Sequence, residues 1–417
     1  MNIDDIRHVF VIGSGTMGRQ IALRCASDGY QVTVYDISPE ALQKAAEQLR
    51  KDAAEAVEEK WLTADRSAAA LSRIRFTNNP QDAANADLVS ESVPEDPEVK
   101  TKVFAQFAQI CPPRTIFTTN TSTLAPSLYA SVTGRPDRFA AMHFYNVWMA
   151  RLLDIMPHPG TSHETIELLR VFAKKIGQAP MVFKTEFPGY VGNNFMGAFS
   201  GAANRLVLQR GVAFEDVDRA AMGILGMRMG PFGIFDFDAL DFILHQMENA
   251  AQAGDSLSRA AADWLKREYV DKGLLGKKSG KGFYTYPNPA FKQPGFLDFD
   301  KERLRGVADA LITPMKEVAL KVVNRGIASV EDTDRAVMIF FNMPMGCFGL
   351  FDRDGLDSLQ RDLQAKAEMT GESEDQAIAR WLKKDFVDKG LLGKKSGRGF
   401  YTYPNPAFSR PDFLTGD

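Results

Sequence analysis

Apolar and polar positions along the N-terminal third fall into alternating short apolar runs and longer helical stretches. His8–Ile12 is a short apolar run stopped by glycine, the pattern of a strand buried on both faces of a parallel sheet. Arg19–Ser27 has helical character, and Gly29 suits the turn that ends it. Gln31–Tyr35 is β-branched and aromatic and predicts a second strand, completing a βαβ unit of about 30 residues. Glu40–Glu59 is rich in Ala, Glu, Lys and Leu and predicts a long helix or a helical pair. Further strands are expected at Ile74–Phe76, Leu88–Glu91, Thr115–Thr118 and Arg138–Phe144, with a helix at Lys100–Ile110. Such alternation implies an α/β, doubly wound, mostly parallel sheet.

From Pro188 onward helical patterns dominate and the chain repeats itself. Asp271–Phe291 recurs as Asp388–Phe408, an offset of 117 (388 − 271), and only Lys281/Arg398 differs. Phe232-Gly-Ile-Phe-Asp236 matches Phe348-Gly-Leu-Phe-Asp352, and Glu215–Ala220 matches Glu331–Ala336. The period far exceeds the 20–50 residues of stacked repeats, so two copies of one domain are expected rather than a solenoid. The predicted organisation is a Rossmann domain over 1–185, followed by two all-α helical domains over 186–297 and 298–417.

Composition narrows the class of protein. With 417 residues, 45% hydrophobic and 25% charged, the chain is ordinary globular material for several domains. A net charge of −3 gives no basic excess for nucleic acid or a membrane surface, and neither partner is expected. Cys25, Cys111 and Cys347 fit no zinc spacing and no disulfide framework, so no metal is expected. The first residues carry no basic region followed by an apolar run, and a cytoplasmic location is the expectation.

The candidate chemistry begins at Gly13-Ser-Gly15-Thr16-Met17-Gly18, which follows a strand and opens a helix. Gly13 permits the tight turn, Gly15 lets backbone approach a pyrophosphate, and Gly18 lets helix and strand pack closely. The helix N-terminus offers free N–H groups and a positive dipole end. Asp36, 18 residues after Gly18, ends the next strand, where it can accept from the adenosine ribose hydroxyls and repel a 2′-phosphate. NAD rather than NADP is therefore the expected cofactor.

Several later segments resemble those of the 3-hydroxyacyl-CoA dehydrogenase family, and the resemblance covers essentially the whole chain. They are Asn120-Thr-Ser122, His143-Phe-Tyr-Asn146, Pro188-Gly-Tyr-Val-Gly-Asn193, and a closing Gly-Lys-Lys-Ser-Gly signature found at Gly276–Tyr284 and again at Gly393–Tyr401. The resemblance implies that His143 is the general base for a 3-hydroxyl, a task suited to imidazole because it titrates near neutral pH. It implies that Asp154 orients the ring, and that Ser122, Asn146 and Asn193 contact substrate. It further implies that Glu95, Lys100 and Asn120 lie near the nicotinamide. For Glu95 and Lys100 the competing reading is ordinary surface charge. Four departures stand out: Val147 replaces the motif's proline, Asp154 stands where the family usually has Glu, the interval from His143 to Asp154 is one residue shorter, and Asp52–Lys60 is mostly acidic where the family meets CoA with basic residues.

The substrate implied is a 3-hydroxyacyl-CoA such as 3-hydroxybutyryl-CoA. The alternatives are a free 3-hydroxy acid of the gulonate or carnitine kind, suggested by Asp154-Ile-Met-Pro-His158-Pro, and a non-catalytic NAD-binding protein. His158 and His163 flank a turn and are expected in solvent. Asp236 is expected to cap a helix, and Lys277 and Lys278 to belong to a structural turn. A monomer is expected, with the two helical copies packed as an internal pseudo-dimer.

Overall fold

The structure, a computed structural model, describes residues 1–148, 150–187 and 189–416. Its elements run β1 (His8–Ile12), α1 (Thr16–Ser27), β2 (Gln31–Tyr35), α2 (Pro39–Glu58), α3 (Ala64–Arg73), β3 (Ile74–Thr77), β4 (Leu88–Glu91), α4 (Pro97–Ile110), β5 (Ile116–Thr119), α5 (Ser127–Ala130), β6 (Phe139–Phe144), β7 (Leu152–Met156), α6 (His163–Lys175) and β8 (Ala179–Val182). The strands form one sheet in the order β3-β2-β1-β4-β5-β6-β7-β8. Every neighbouring pair is parallel except β6 and β7. Consecutive residues of β1 serve opposite faces: Val9 and Val11 pack in one apolar cluster with α1 and α6 residues, Phe10 and Ile12 in another with Phe104 and Phe107 of α4. A strand covered by helices on both sides has no polar face, which is why β1 reads as an unbroken apolar run.

The first helix begins at Thr16, not Arg19, so the glycine turn leads straight into it. Of the two alternatives for Glu40–Glu59, the single long helix holds as α2, and α3 follows it as a separate helix; each is N-capped by a side-chain hydroxyl, Ser38 and Thr63. Two strands follow Phe144 that the sequence pattern did not announce. All five residues of β7 are buried, with Asp154 in their midst, so polar and apolar positions do not alternate. β8 is four residues long and contains Pro180.

The remaining helices are α7 (Val191–Arg210), α8 (Phe214–Gly223), α9 (Pro231–Asp238), α10 (Leu240–Gln252), α11 (Ser256–Glu268), α12 (Lys301–Asn324), α13 (Val330–Phe341), α14 (Cys347–Asp354), α15 (Leu356–Thr370) and α16 (Ser373–Asp385). The repeat is visible in their spacing. Helices α9 and α14 begin 116 residues apart (347 − 231), and α11 and α16 begin 117 apart (373 − 256). The chain divides into two compact units. One comprises 1–191 with 322–339 and 407–417, and the other 192–321 with 340–406.

Asp236 lies inside α9 rather than capping it. Its buried carboxylate accepts from the backbone N–H groups of Phe283 (2.9 Å) and Tyr284 (2.8 Å), and Asp352 does the same for Phe400 (2.9 Å) and Tyr401 (2.8 Å) in the second copy. Burial pushes the Asp236 carboxyl up to about 6, against those hydrogen bonds. Side chains at Gly276 or Gly282 would run into Asp236, which accounts for two glycines of the repeated signature. Lys277 and Lys278 open the short 3₁₀ turn between them, and Lys278 pairs with Asp241 at 2.5 Å. The repeated signature is thus folded onto its own helical domain by a buried carboxylate.

Candidate active site

The β1–α1 turn has the three glycines in distinct roles. Gly13 has φ +102°, its N–H donates to the Tyr35 carbonyl at 2.8 Å, and a side chain there would strike the Ser92 backbone. A side chain at Gly18 would strike the Gly13 carbonyl, so the glycine sets how closely α1 packs on β1. Gly15 N-caps α1 and faces open space, with Thr16 exposed beside it and Met17 packed partly against the core. This is a cradle a pyrophosphate would fill: close backbone approach, orphan N–H groups of a first helical turn, and a dipole of the right sign.

Asp36 lies one residue beyond β2 and is held in place from three sides. Its Oδ2 accepts from the Ser14 N–H (2.9 Å) and Ser14 Oγ (2.7 Å), and its Oδ1 accepts from the Ser38 N–H (3.1 Å). A carboxylate has about four acceptor sites, so capacity remains for a diol. Its charge opposes a second phosphate at the same place.

At the C-terminal ends of β4 and β5 sits a buried charge network. Lys100 is wholly buried, so the surface-charge reading fails for it. Its Nζ lies 2.8 and 3.0 Å from the two carboxylate oxygens of Glu91 and 3.3 Å from Glu95 Oε2. The cause is local: α4 starts at Pro97 with Asp96 as its N-cap, which turns Lys100 inward under the β4 end. Burial would push the Glu95 carboxyl up. Hydrogen bonds from Thr121 and Thr123 and the charge of Lys100 outweigh it and hold the group below the usual range. Glu95 also accepts from the N–H groups of Ser122 and Thr123, both at 3.1 Å, so it organises the loop that carries Ser122. Asn120 Oδ1 accepts from the Phe144 N–H at 2.8 Å and ties the end of β5 to the end of β6. Glu91 was not singled out from the sequence. Its burial beside Lys100 and Thr119 is produced by the fold and does not show in the pattern of β4.

His143 and Asp154 are direct partners in the antiparallel β6–β7 ladder. His143 Nδ1 lies 3.9 Å from Asp154 Oδ2, and the histidine is buried with Asp154 fully so. The Tyr145 hydroxyl donates to the same Oδ2 at 2.6 Å. The imidazole sits between two rings, Tyr145 edge-on and Tyr190 tilted, each with centroids 4.5 Å away. Burial pushes the Asp154 carboxyl up, opposed by His143 and by the Tyr145 hydroxyl. Both tyrosines stand inside motifs visible in the sequence, yet nothing there indicates that they flank the imidazole.

Asn146 shapes the turn between β6 and β7: its Oδ1 accepts from the Trp148 N–H at 3.0 Å, and its carbonyl accepts from Ala150 and Arg151. Pro188, which opens the Pro-Gly-Tyr segment, lies outside the described residues, and Asn193 occupies the first turn of α7. His163 is exposed as expected, but His158 is buried. The His158 Nε2 sits 2.9 Å from the Pro136 carbonyl and its Nδ1 accepts from the Gly160 N–H at 3.0 Å, so it fastens the turn after β7. Among the described residues no cluster of His, Cys, Asp and Glu could hold a metal, and no helix is long and apolar enough to cross a membrane.

Comparison with known proteins identifies the family. A family model described as "3-hydroxyacyl-CoA dehydrogenase, NAD binding domain" matches residues 8–186. Its companion for the C-terminal domain matches twice, at 189–286 and 307–403. A probable 3-hydroxybutyryl-CoA dehydrogenase of Bacillus subtilis is 35% identical over 284 residues, 68% of this chain and 98% of that protein. Among solved structures, 3-hydroxybutyryl-CoA dehydrogenase from Escherichia coli K12 aligns with a TM-score of 0.72 at 25% identity, covering 91% of this chain and 99% of its own. A diketoreductase described as acting on dicarbonyl compounds aligns with a TM-score of 0.62 at 35% identity, covering 67% of this chain and 99% of its own.

Proposed function

The chain belongs to the 3-hydroxyacyl-CoA dehydrogenase family of NAD-dependent oxidoreductases, and we propose that it oxidises a 3-hydroxyacyl-CoA such as 3-hydroxybutyryl-CoA, reversibly, with His143 as general base. The observation that carries this reading is the placement of His143 opposite Asp154 on neighbouring strands. With Nδ1 facing the carboxylate, the free ring position is Nε2, and that atom takes the 3-hydroxyl proton. NAD, when bound, accepts the hydride from C3. The imidazolium formed at His143 then finds a buried negative charge at Asp154, where a low dielectric makes the attraction strong. Gly13, Gly15, Thr16, Met17, Gly18 and Asp36 hold the dinucleotide, and Glu95, Lys100 and Asn120 build its nicotinamide end. Ser122, Asn146 and Asn193 contact substrate oxygens.

The relatives' names support a CoA thioester, and a free 3-hydroxy acid or dicarbonyl is the second reading. Two observations favour that alternative: the diketoreductase likeness, and the acidic run along α2 where a phosphorylated carrier needs cations. An NADH absorbance assay comparing acetoacetyl-CoA with free 3-oxo acids distinguishes them. Rates with the thioester at least about tenfold higher in kcat/KM support the first reading, and the reverse order overturns it.

We also read the chain as three domains by descent, 1–185, 186–297 and 298–417, with one NAD site, and as a cytoplasmic monomer. The second helical copy takes the place that a second subunit would occupy. It has no counterpart of Pro188–Asn193, because a shift of 116 lands on Leu304–Asp309.

A further inference from the structure

We propose that Tyr145 is a positioning residue of this oxidation: its hydroxyl keeps the Asp154 carboxylate charged and fixed opposite His143, across a gap that the aspartate does not close by itself. The inference rests on the reading of His143 as the base.

Three observations converge. Asp154 is fully buried, and a buried carboxylate is costly unless something donates to it. The separation from His143 Nδ1 is 3.9 Å, beyond a hydrogen bond, and among the described residues neither Nδ1 nor Asp154 Oδ1 has a hydrogen-bond partner. The Tyr145 hydroxyl reaches Oδ2 at 2.6 Å, the length of a strong charge-assisted bond. Local geometry explains why Tyr145 can do this. It lies in the bend just past β6, its ring stands edge-on to the His143 imidazole, and β7 brings Asp154 opposite His143.

The titratable groups facing Asp154 are His143 and Tyr145 from the β6 side and Tyr190 from the segment before α7. β8 presents Met181 at the paired position. The Tyr190 hydroxyl is pushed up by burial and by the charge of Asp154, and stays protonated. No cation is among these neighbours. Without the Tyr145 hydroxyl the carboxylate loses a hydrogen bond that opposes the upward push of its burial, and the imidazolium formed during turnover faces a less firmly held counter-charge.

The test uses full-length Tyr145→Phe, Asp154→Glu, the double variant and His143→Ala, assayed by NADH absorbance over pH. For Y145F, kcat should fall by about 10–100-fold with KM for NAD within about twofold. The acid limb of the kcat/KM profile should move to higher pH, because the unsupported carboxylate binds its proton more tightly. In the Asp154→Glu background the longer side chain reaches Nδ1 directly, and adding Y145F should cost less than about threefold. Unchanged kcat and acid limb in Y145F, with H143A inactive, would overturn this inference alone. An equal loss in both backgrounds with an unmoved limb would also overturn it, since only packing would then be at stake. Activity surviving in H143A would overturn the base assignment and this inference together.

Discussion

His143 and Asp154 face each other across the single antiparallel pairing in an otherwise parallel sheet. The turn at Asn146 returns the chain so that a histidine at the end of β6 meets a carboxylate at the centre of β7. The pair is buried, but it is an electrostatic couple at 3.9 Å rather than a hydrogen-bonded one. His143→Ala should lower kcat by on the order of 10²–10⁴ with little change in NAD affinity. Asp154→Asn keeps the shape and removes the charge, and should lower kcat in the same direction. Steady-state kinetics alongside NADH titration check both. A silent Asp154→Asn would mean that another group stabilises the imidazolium.

Asp36 is anchored by Ser14 and Ser38, so its carboxylate cannot swing aside for a 2′-phosphate. The unmodified chain should strongly prefer NAD, and Asp36→Ala should narrow the preference. The ratio of kcat/KM for the two dinucleotides is the measurement. Comparable values in the unmodified chain would contradict the assignment.

Lys100 tests the buried network. Lys100→Met leaves Glu91 as an uncompensated buried charge and should destabilise the chain by about 3–5 kcal/mol. Adding Glu91→Gln removes that charge and should recover part of the loss. Urea unfolding of both variants would show it. An additive double variant would mean that the two side chains do not act as a pair.

The duplication makes a prediction about assembly. Phe199 of α7 packs edge-on against Phe341 at the end of α13, with centroids 5.2 Å apart, and a side chain at Gly226 would meet the Pro344 ring at 2.9 Å. The two copies are therefore in close apolar contact. The full chain should be monomeric at micromolar concentration, and deletion of Asp300–Asp417 should expose that contact and give a dimer or aggregate. Light scattering of both proteins decides it: a tight full-length dimer, or a well-behaved monomeric truncation, would contradict this account.

The first βαβ unit was legible because Val9–Ile12 is an unbroken apolar run, Gln31–Tyr35 is β-branched and aromatic, and Gly13 and Gly29 mark the breaks between them. The glycine turn and Asp36 could be placed because their spacing is local. β7 was not legible, since the buried Asp154 interrupts its apolar run for a reason found only on the neighbouring strand. Lys100 looked like surface charge because its partner Glu91 belongs to a different element. Asp236 looked like a helix cap, but its partners Phe283 and Tyr284 lie beyond two further helices. What the sequence hid in each case was a polar group satisfied by a residue outside its own element.

The most direct test of the central claim follows NADH oxidation by absorbance with acetoacetyl-CoA, for the unmodified chain and for His143→Ala. The account predicts turnover by the unmodified chain, with loss on the order of 10²–10⁴ in the variant while NADH still binds. Equal rates in the two proteins, or no turnover of the thioester by the unmodified chain, would contradict it.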